Sequence, residues 1–499
     1  MPKDFFSVAA TTSLASLTSG AKIHVIGVCG VAMAQLAIAL TERGFEVSGS
    51  DKEFYEPMKS LLGVSAVKLC VGYARDNVPT DAALVVIGNS ISYGNPEVAV
   101  VEEQDLPYTC FPKILQEVAI VGRHSIVVTG THGKSTTTAL LASILLHHGQ
   151  APSYFVGGVA QGLPHSLAVG TGPFSVVEGD EYDSAFFAKV PKFSFYTPDT
   201  AIVNAIEYDH ADIYENIEAI ESEFTKLIES LHTTGRAVCC IDFPRVKKLV
   251  EAWRQSVRCN IVTFGVDKDA DFAITNRSMD GMSQVVTVRT PTGESIPFFI
   301  PMIGEYNARN ATAAFVVSEI VGLPRETTLE ALKVFKSVKR RQELRAIRDG
   351  VALIEDFAHH PTAVQQTIAA VRDSFPQAKL WAIFEPRSNT SRRKVFQQED
   401  INAFQAADAA IFKDVTARAV DTGVELIEVS TLSDDIDVSG TPSVCLPDVS
   451  AIREYLWRNL ERKNGALEVS DVIVVMSNGS FDGLNDLLQQ DIEGATHVS

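Results

Sequence analysis

Short hydrophobic runs alternate with longer stretches of helical period along most of the chain, a pattern that predicts parallel sheets wound by crossover helices. Residues 22–28 (KIHVIGV) read as a strand, 32–43 as a helix stopped by Gly44, and 45–51 as the next strand, forming one βαβ unit that 83–90 (ALVVIGNS) continues. The polar, proline-containing segment near 105–124 reads as the exit from this sheet. A second series runs from 125–130 (SIVVTG) through a helix at 136–148 stopped by Gly149, then 174–181, 200–210, and helices at 307–322 and 324–337. Between them, 270–300 has the look of a β-hairpin insertion. A third series starts at 351–361 and passes through 379–387 and 409–414 to 472–480. Three α/β domains follow, at 22–124, 125–338 and 339–499, behind an extension at 1–21. The chain carries neither a short-period repeat nor a low-complexity tract.

Length supports this division, since 499 residues at 46% hydrophobic exceed one ordinary core and are too apolar for disorder. A formal charge of −19 repels nucleic-acid backbones and anionic lipid, so neither nucleic acid nor membrane is expected as a partner. Any polyanionic ligand must be held by a local set of amides, cations or metal. No apolar run approaches the roughly 18 residues of a spanning helix. The opening MPKDFFSVAATTSLASLTSG has one lysine cancelled by Asp4 and only a broken apolar stretch, and reads as a short helical or frayed extension rather than a cleaved signal. Seven scattered cysteines without a C-x-x-C spacing read as reduced, mostly buried and cytoplasmic.

The strongest chemical signal is Gly130-Thr131-His132-Gly133-Lys134-Ser135-Thr136, set between a hydrophobic strand and a helix. Glycines let backbone N–H groups close on phosphate oxygens, the helix N-terminus adds positive potential, Lys134 neutralises terminal phosphates, and Ser135 can ligate Mg²⁺. The loop is a compact variant, because the first glycine of the long form falls on Val128. Two acidic strand ends follow, Glu178-Gly179-Asp180-Glu181 and Glu207-Tyr208-Asp209-His210, where ligands bind in α/β sheets and where carboxylates suit divalent cations. Plain solvated loops are the alternative for both.

In the first unit, Gly27 and Gly30 match half of a dinucleotide fingerprint whose middle glycine is Cys29, and Asp51 ends the second strand. That favours a nucleotide-containing ligand, with glycine packing as the alternative. Asn307 opens a helix as an amide donor or as an N-cap. Lys339-Arg340-Arg341 reads as a phosphate clamp or as solvated surface. Asp356 and His359 close one strand, with a His–Asp hydrogen bond as the plain account, and Arg387, Ser388 and Asn389 close the next, where Arg can grip a carboxylate.

The ordered set TGTHGKSTTT, EGDEYD, NAIEYDH, GEYNARNATAA, KRRQELR and DFAHHPTA resembles the Mur ligases, ATP-dependent enzymes that form amide bonds to UDP-N-acetylmuramate derivatives, over nearly all of 22–485. The resemblance implies a Rossmann-like N-terminal domain, a P-loop ATPase-like central domain and a Rossmann-like C-terminal domain. It further implies ATP and Mg²⁺ as cofactors, with Gly130, Thr131, His132, Gly133, Lys134, Ser135, Thr136, Asn307, Arg341, Asp356 and His359 along ATP. Ser135, Glu178 and His210 would ligate metal, and Lys134, Glu178, His210 and Arg341 would be catalytic. Gly27, Gly30, Asp51, Asn89 and Ser90 would hold the UDP sugar, and Arg387, Ser388 and Asn389 a peptide. GVCGVAM, FYEPMKSLL, EYDSAFF and EPRSNT point to the branch that rejoins a recycled murein tripeptide, L-Ala-γ-D-Glu-meso-diaminopimelate, to UDP-N-acetylmuramate through an acyl phosphate. Addition of L-alanine is the alternative within the family. A nicotinamide-dependent oxidoreductase and a P-loop switch are the alternatives outside it, and both leave the third domain's residues without a role. Oligomeric state is not legible.

Overall fold

The computed structural model describes residues 5–211, 213–388, 390–414, 425–461, 466 and 468–494. Contacts within the chain gather into two compact units: 1–207 with 216–273 and 310–332, and 208–215 with 274–309 and 333–499.

The first unit holds two large sheets and the small antiparallel pair Asp183–Ala185 and Ala188–Pro191. One is wholly parallel, in the spatial order Lys68–Val71, Glu46–Asp51, Lys22–Ile26, Leu84–Ile87, Tyr108–Cys110. Its order reverses between Lys22–Ile26 and Leu84–Ile87, which opens a crevice at their carboxyl ends, the usual place for a ligand in such sheets. The segment read as an exit therefore contributes the fifth strand, followed by the helix Phe111–Leu115. Ile23, Val25, Ile26 and Leu84 to Ile87 are fully buried, as strands covered by helices on both faces require.

The opening segment is neither frayed nor helical over most of its described length. Only Leu14–Ser16 forms a 3₁₀ turn, whose amides at Leu14 and Ala15 donate to the Glu117 carboxylate. Phe6 is buried against Tyr108, Phe186 and Phe187.

The second sheet of this unit runs Asn260–Gly265, Arg236–Cys240, Thr200–Val203, His124–Thr129, Phe174–Glu178, Ser153–Phe155 in parallel, with Leu167–Ala168 antiparallel at the edge. His124–Thr129 lies at its centre, and the turn after it leads into the helix Lys134–His147. Ile126, Val127, Val176, Val177, Ala201 and Ile202 are completely buried around it.

The second unit is built on the order Glu343–Arg348, Val351–Asp356, Asp471–Met476, Lys379–Phe384, Ala409–Lys413, Ser443–Leu446. Only the first pair is antiparallel. Apolar clusters cover both faces, one around Phe384, Phe404 and Phe412, the other around Trp381, Ile473 and Leu484. The stretch read as a hairpin insertion contains the antiparallel pair Ser283–Arg289 and Ser295–Ile300, but it is preceded by a longer strand, Phe272–Asp280, whose start pairs in parallel with Asn260–Gly265. It continues sheet structure rather than interrupting it.

Five of the seven free cysteines are buried, and Cys70 and Cys445 are partly so. Among the described residues no helix is long and apolar enough to cross a membrane.

Candidate active site

Three parallel strand ends define the site of the first unit. His124–Thr129 runs into Gly130–Gly133, with Glu178 ending one neighbouring strand and Asn204 following the other. The turn needs glycine at two places. Gly130 has φ +121°, and a Cβ there would lie 2.7 Å from the Ala205 nitrogen. Gly133 has φ +79° and caps the helix Lys134–His147, where a Cβ would collide with the Asn310 side chain. Thr131 closes the turn, its amide donating to Ala205 O at 2.9 Å and its hydroxyl accepting from the Glu207 amide at 2.9 Å. His132 Nε2 sits 2.6 Å from Glu207 Oε2.

Lys134 points back over the loop. Its Nζ donates to Gly130 O at 2.8 Å and to Glu181 Oε2 at 2.8 Å, with Asp180 Oδ1 at 3.9 Å. Burial works against this charge, but Glu181, Asp180 and Glu178 more than offset it and hold the ammonium well above its ordinary pKa. Ser135 Oγ donates to Glu178 Oε1 at 3.0 Å, and the other Glu178 oxygen accepts the Gly157 amide at 2.7 Å. Burial, then the neighbouring Asp180, push the Glu178 carboxyl above its usual range. An anionic carboxylate is disfavoured there unless more positive charge arrives. A hydroxyl and a carboxylate oxygen held together in a buried pocket are hard donors of the kind Mg²⁺ takes, so these residues fit that ion. Thr136 is buried behind them on the helix.

At the switch point of the first sheet, Gly27 adopts φ +83° and its amide donates to Ser50 O, while Gly30 caps the helix Val31–Glu42. Exposed Asn89 and Ser90 follow the neighbouring strand. Asp51 braces the loop, accepting the Cys29 amide at 2.7 Å on one oxygen and the Tyr73 hydroxyl at 3.1 Å on the other. A cleft of about 450 Å³ lies beside this helix, lined by Gln35, Pro57, Met58, Leu61, Leu163 and His165 among others.

In the second unit, Asn307, Arg341 and Asp356 form one cluster. Asn307 lies inside the first turn of Glu305–Ile320 rather than capping it, and its amide donates to Ile303 O and to Gln342 Oε1, both at 2.9 Å. Asp356 accepts backbone amides from Gln342 at 2.8 Å and Ala358 at 2.7 Å, and burial raises its pKa even though Arg341 lowers it. The expected His–Asp contact is thus met at Asp356 by backbone N–H groups. Arg341 stacks over Phe357 at 4.7 Å, and Arg340 is locked to Glu355 at 2.8 Å and to Ser477 O at 2.8 Å. The basic run is therefore built into the fold at two of its three residues. His359 Nδ1 lies 2.9 Å from Phe357 O. His210, at φ +54°, belongs to this unit and not to that of Ser135 and Glu178. Against burial, His210, His359 and His360 hold Asp209 well below the ordinary carboxylate range. Exposed Arg387 lies across Gly479, where a Cβ would collide with it, and Ser388 Oγ accepts the Ser391 amide at 2.9 Å. Asn389 lies outside the described residues.

Gln342, Asp180, Lys192 and Asn204 went unread in the sequence as site residues. Asp180, Asn204 and Gln342 stand inside the motifs EGDEYD, NAIEYDH and KRRQELR, but nothing marks Lys192 apart from any other polar residue.

A phosphate loop at the centre of one sheet, a switch-point crevice in another and charged strand ends in a further sheet define a nucleotide-dependent enzyme of several substrates. Family models agree. One described as the Mur ligase family catalytic domain matches residues 22–122, the Mur ligase middle domain matches 128–318, and the Mur ligase glutamate ligase domain matches 340–479. The chain belongs to the Mur ligase family, ATP-dependent enzymes that form amide bonds. It is 31% identical over 468 residues to the UDP-N-acetylmuramate–L-alanyl-γ-D-glutamyl-meso-2,6-diaminoheptandioate ligase of Escherichia coli K12, covering 94% of this chain and 97% of that one. It is also 31% identical to the UDP-N-acetylmuramate–L-alanine ligase of Clostridium kluyveri, covering 93% and 97%. Among solved structures, the murein peptide ligase of Psychrobacter arcticus aligns with a TM-score of 0.69 at 30% identity, covering 96% of this chain and all of that one. The UDP-N-acetylmuramate–alanine ligase of Thermotoga maritima shares the fold at 0.74 and 23%. The nicotinamide and switch readings give way to this assignment.

Proposed function

We propose that this chain joins the tripeptide L-Ala-γ-D-Glu-meso-diaminopimelate to UDP-N-acetylmuramate, with ATP and Mg²⁺, in cytoplasmic peptidoglycan recycling. The observation that carries the chemistry is the convergence of Lys134, Ser135 and Glu178 on one phosphate loop. The choice of peptide rests on full-length relatives that act on it and on Arg387 and Ser388 at the strand end that follows Glu385-Pro386.

A lactyl carboxylate is a poor electrophile, and ATP with Mg²⁺ supplies the phosphoryl group that activates it and part of the charge neutralisation that step needs. The chain's own residues do the rest. Amides of 131–136 and the Lys134 ammonium bind phosphate oxygens and reduce the repulsion between two anions. Ser135 and Glu178 hold the metal, and Asn307, Arg341, Asp356 and His359 hold the nucleotide. Gly27, Gly30, Asp51, Asn89 and Ser90 orient the UDP sugar, and Arg387 with Ser388 and Asn389 hold the carboxylate end of the peptide so that its amine attacks. No enzyme nucleophile is needed. We assign the domains to 22–124, 125–338 and 339–499, one for each substrate. The test offers UDP-N-acetylmuramate and Mg-ATP with either the tripeptide or L-alanine: tripeptide-dependent ADP release is expected, and release with L-alanine alone would move the chain to the other branch.

A further inference from the structure

Lys192 lies outside every motif above, yet it is buried, 7% exposed, against Asp180 of the acidic strand end. It follows the antiparallel pair Asp183–Ala185 and Ala188–Pro191, which leaves from Glu181 and returns the chain beside Asp180. The Lys192 amide donates to Asp180 O at 2.9 Å. Its Nζ donates to Asp180 Oδ2 at 2.7 Å and to the Tyr182 hydroxyl at 2.8 Å, and sits 4.1 Å from the Tyr182 ring centre. Asp180 thus divides its carboxylate: one oxygen is in contact with Lys192, and the other stands 3.9 Å from Lys134, beyond hydrogen-bond distance. Glu178, Asp180 and Glu181 bring three carboxylates to one buried place, against two ammonium groups, Lys134 and Lys192.

We infer that Lys192 is a positioning residue for the phosphate-loop lysine: by holding Asp180 aside, it keeps Lys134 from being captured by a second carboxylate and leaves its ammonium available to phosphate. The physics is a competition. A buried carboxylate stripped of its partner seeks the nearest cation, because an unpaired charge there is costly. Without Lys192 that cation is Lys134, already shared with Glu181 at 2.8 Å. A phosphate oxygen would then have to displace two carboxylates instead of one. The inference rests on ATP binding at this loop, and the experiment separates the two claims.

Steady-state kinetics with full-length protein, varying ATP, UDP-N-acetylmuramate and tripeptide in turn, compare the parent with Lys192→Met, Asp180→Asn and the double variant. In Lys192→Met, KM for ATP rises tenfold or more while KM for the other two substrates stays within twofold. Adding Asp180→Asn to that chain brings KM for ATP back to within threefold of Asp180→Asn alone. A fall in kcat with KM for ATP unchanged overturns the inference, as does an ATP KM that the second substitution leaves raised. If Lys192→Met does not fold, the comparison of Asp180→Asn with the double variant decides: equal ATP KM supports the inference and a tenfold difference overturns it. Failure of the underlying reading looks different, since the unmodified protein would show no ATP-dependent turnover.

Discussion

Lys134 is bound to Gly130 O and Glu181 through its only cationic group, so replacing it removes charge from the loop without opening the apolar core. Lys134→Ala should lower turnover roughly 10²- to 10³-fold, the cost of one group aimed at a charged transition state. Its melting temperature should fall as well, because Glu181 loses its buried partner, and near-normal activity would contradict the assignment. Gly133→Ala tests the backbone instead. At φ +79° an alanine pays about 1–2 kcal/mol in the left-handed region, and its methyl meets Asn310, so both melting temperature and ATP affinity should fall. Removing Mg²⁺ with a chelator should stop turnover, and Ser135→Ala should raise the Mg²⁺ concentration needed for half-maximal rate. The loop was legible because its glycines, lysine and serine sit at fixed offsets between a strand and a helix. The role of Gln342 within KRRQELR, and Lys192 altogether, were not, because each acquires its partners, Asn307 and Asp180, only when distant or hairpin-linked segments meet.

At the scale of elements, strands buried on both faces declared themselves as hydrophobic runs: the readings at 83–90 and 472–480 start within one residue of Leu84–Ile87 and Asp471–Met476 but run on into the loops beyond them. Among those missed, Lys68–Val71, Glu343–Arg348 and Ser443–Leu446 stand at sheet edges with half-exposed positions, where periodicity is weak, whereas Arg236–Cys240 and Ser153–Phe155 are short buried strands inside their sheet. The helix Gln397–Ala403 buries Asp400, whose carboxyl is pushed up to about 8, chiefly by burial. The unfolded chain loses that proton near pH 4. Between about pH 4 and about pH 8 the folded state keeps a proton that the unfolded state sheds, so this residue makes stability fall as pH rises through that window. Asp400→Asn should therefore raise the melting temperature by several degrees at pH 8 and change it little at pH 4, as calorimetry at the two values would register. An equal effect at both would show that Asp400 is not titrating there. Arg387→Ala belongs to this scale as well, since it alters one strand end. It should raise KM for the tripeptide about tenfold or more, the loss of a charge-assisted hydrogen bond, and leave KM for ATP near the parent value.

For the whole molecule, the excess of acidic residues makes phosphate binding a local achievement, concentrated where strand ends meet helix N-termini. Three α/β domains were legible from the alternation of elements, as was the hairpin within 270–300, while the seating of Phe6 against Tyr108 depended on tertiary packing that no local pattern encodes. Full-length likeness leans to the tripeptide branch, with a murein peptide ligase structure at 30% identity against 23% for an alanine ligase. The Escherichia coli tripeptide ligase and the Clostridium kluyveri L-alanine ligase are both 31% identical, however, so likeness alone is not a direct test. Product chemistry is. The decisive measurement incubates the purified protein with UDP-N-acetylmuramate, Mg-ATP and the murein tripeptide, and weighs the nucleotide sugar by mass spectrometry beside a count of ADP. One tripeptide added per ADP released is the result expected; an unchanged sugar, or a gain of a single alanine when L-alanine is supplied instead, would contradict it.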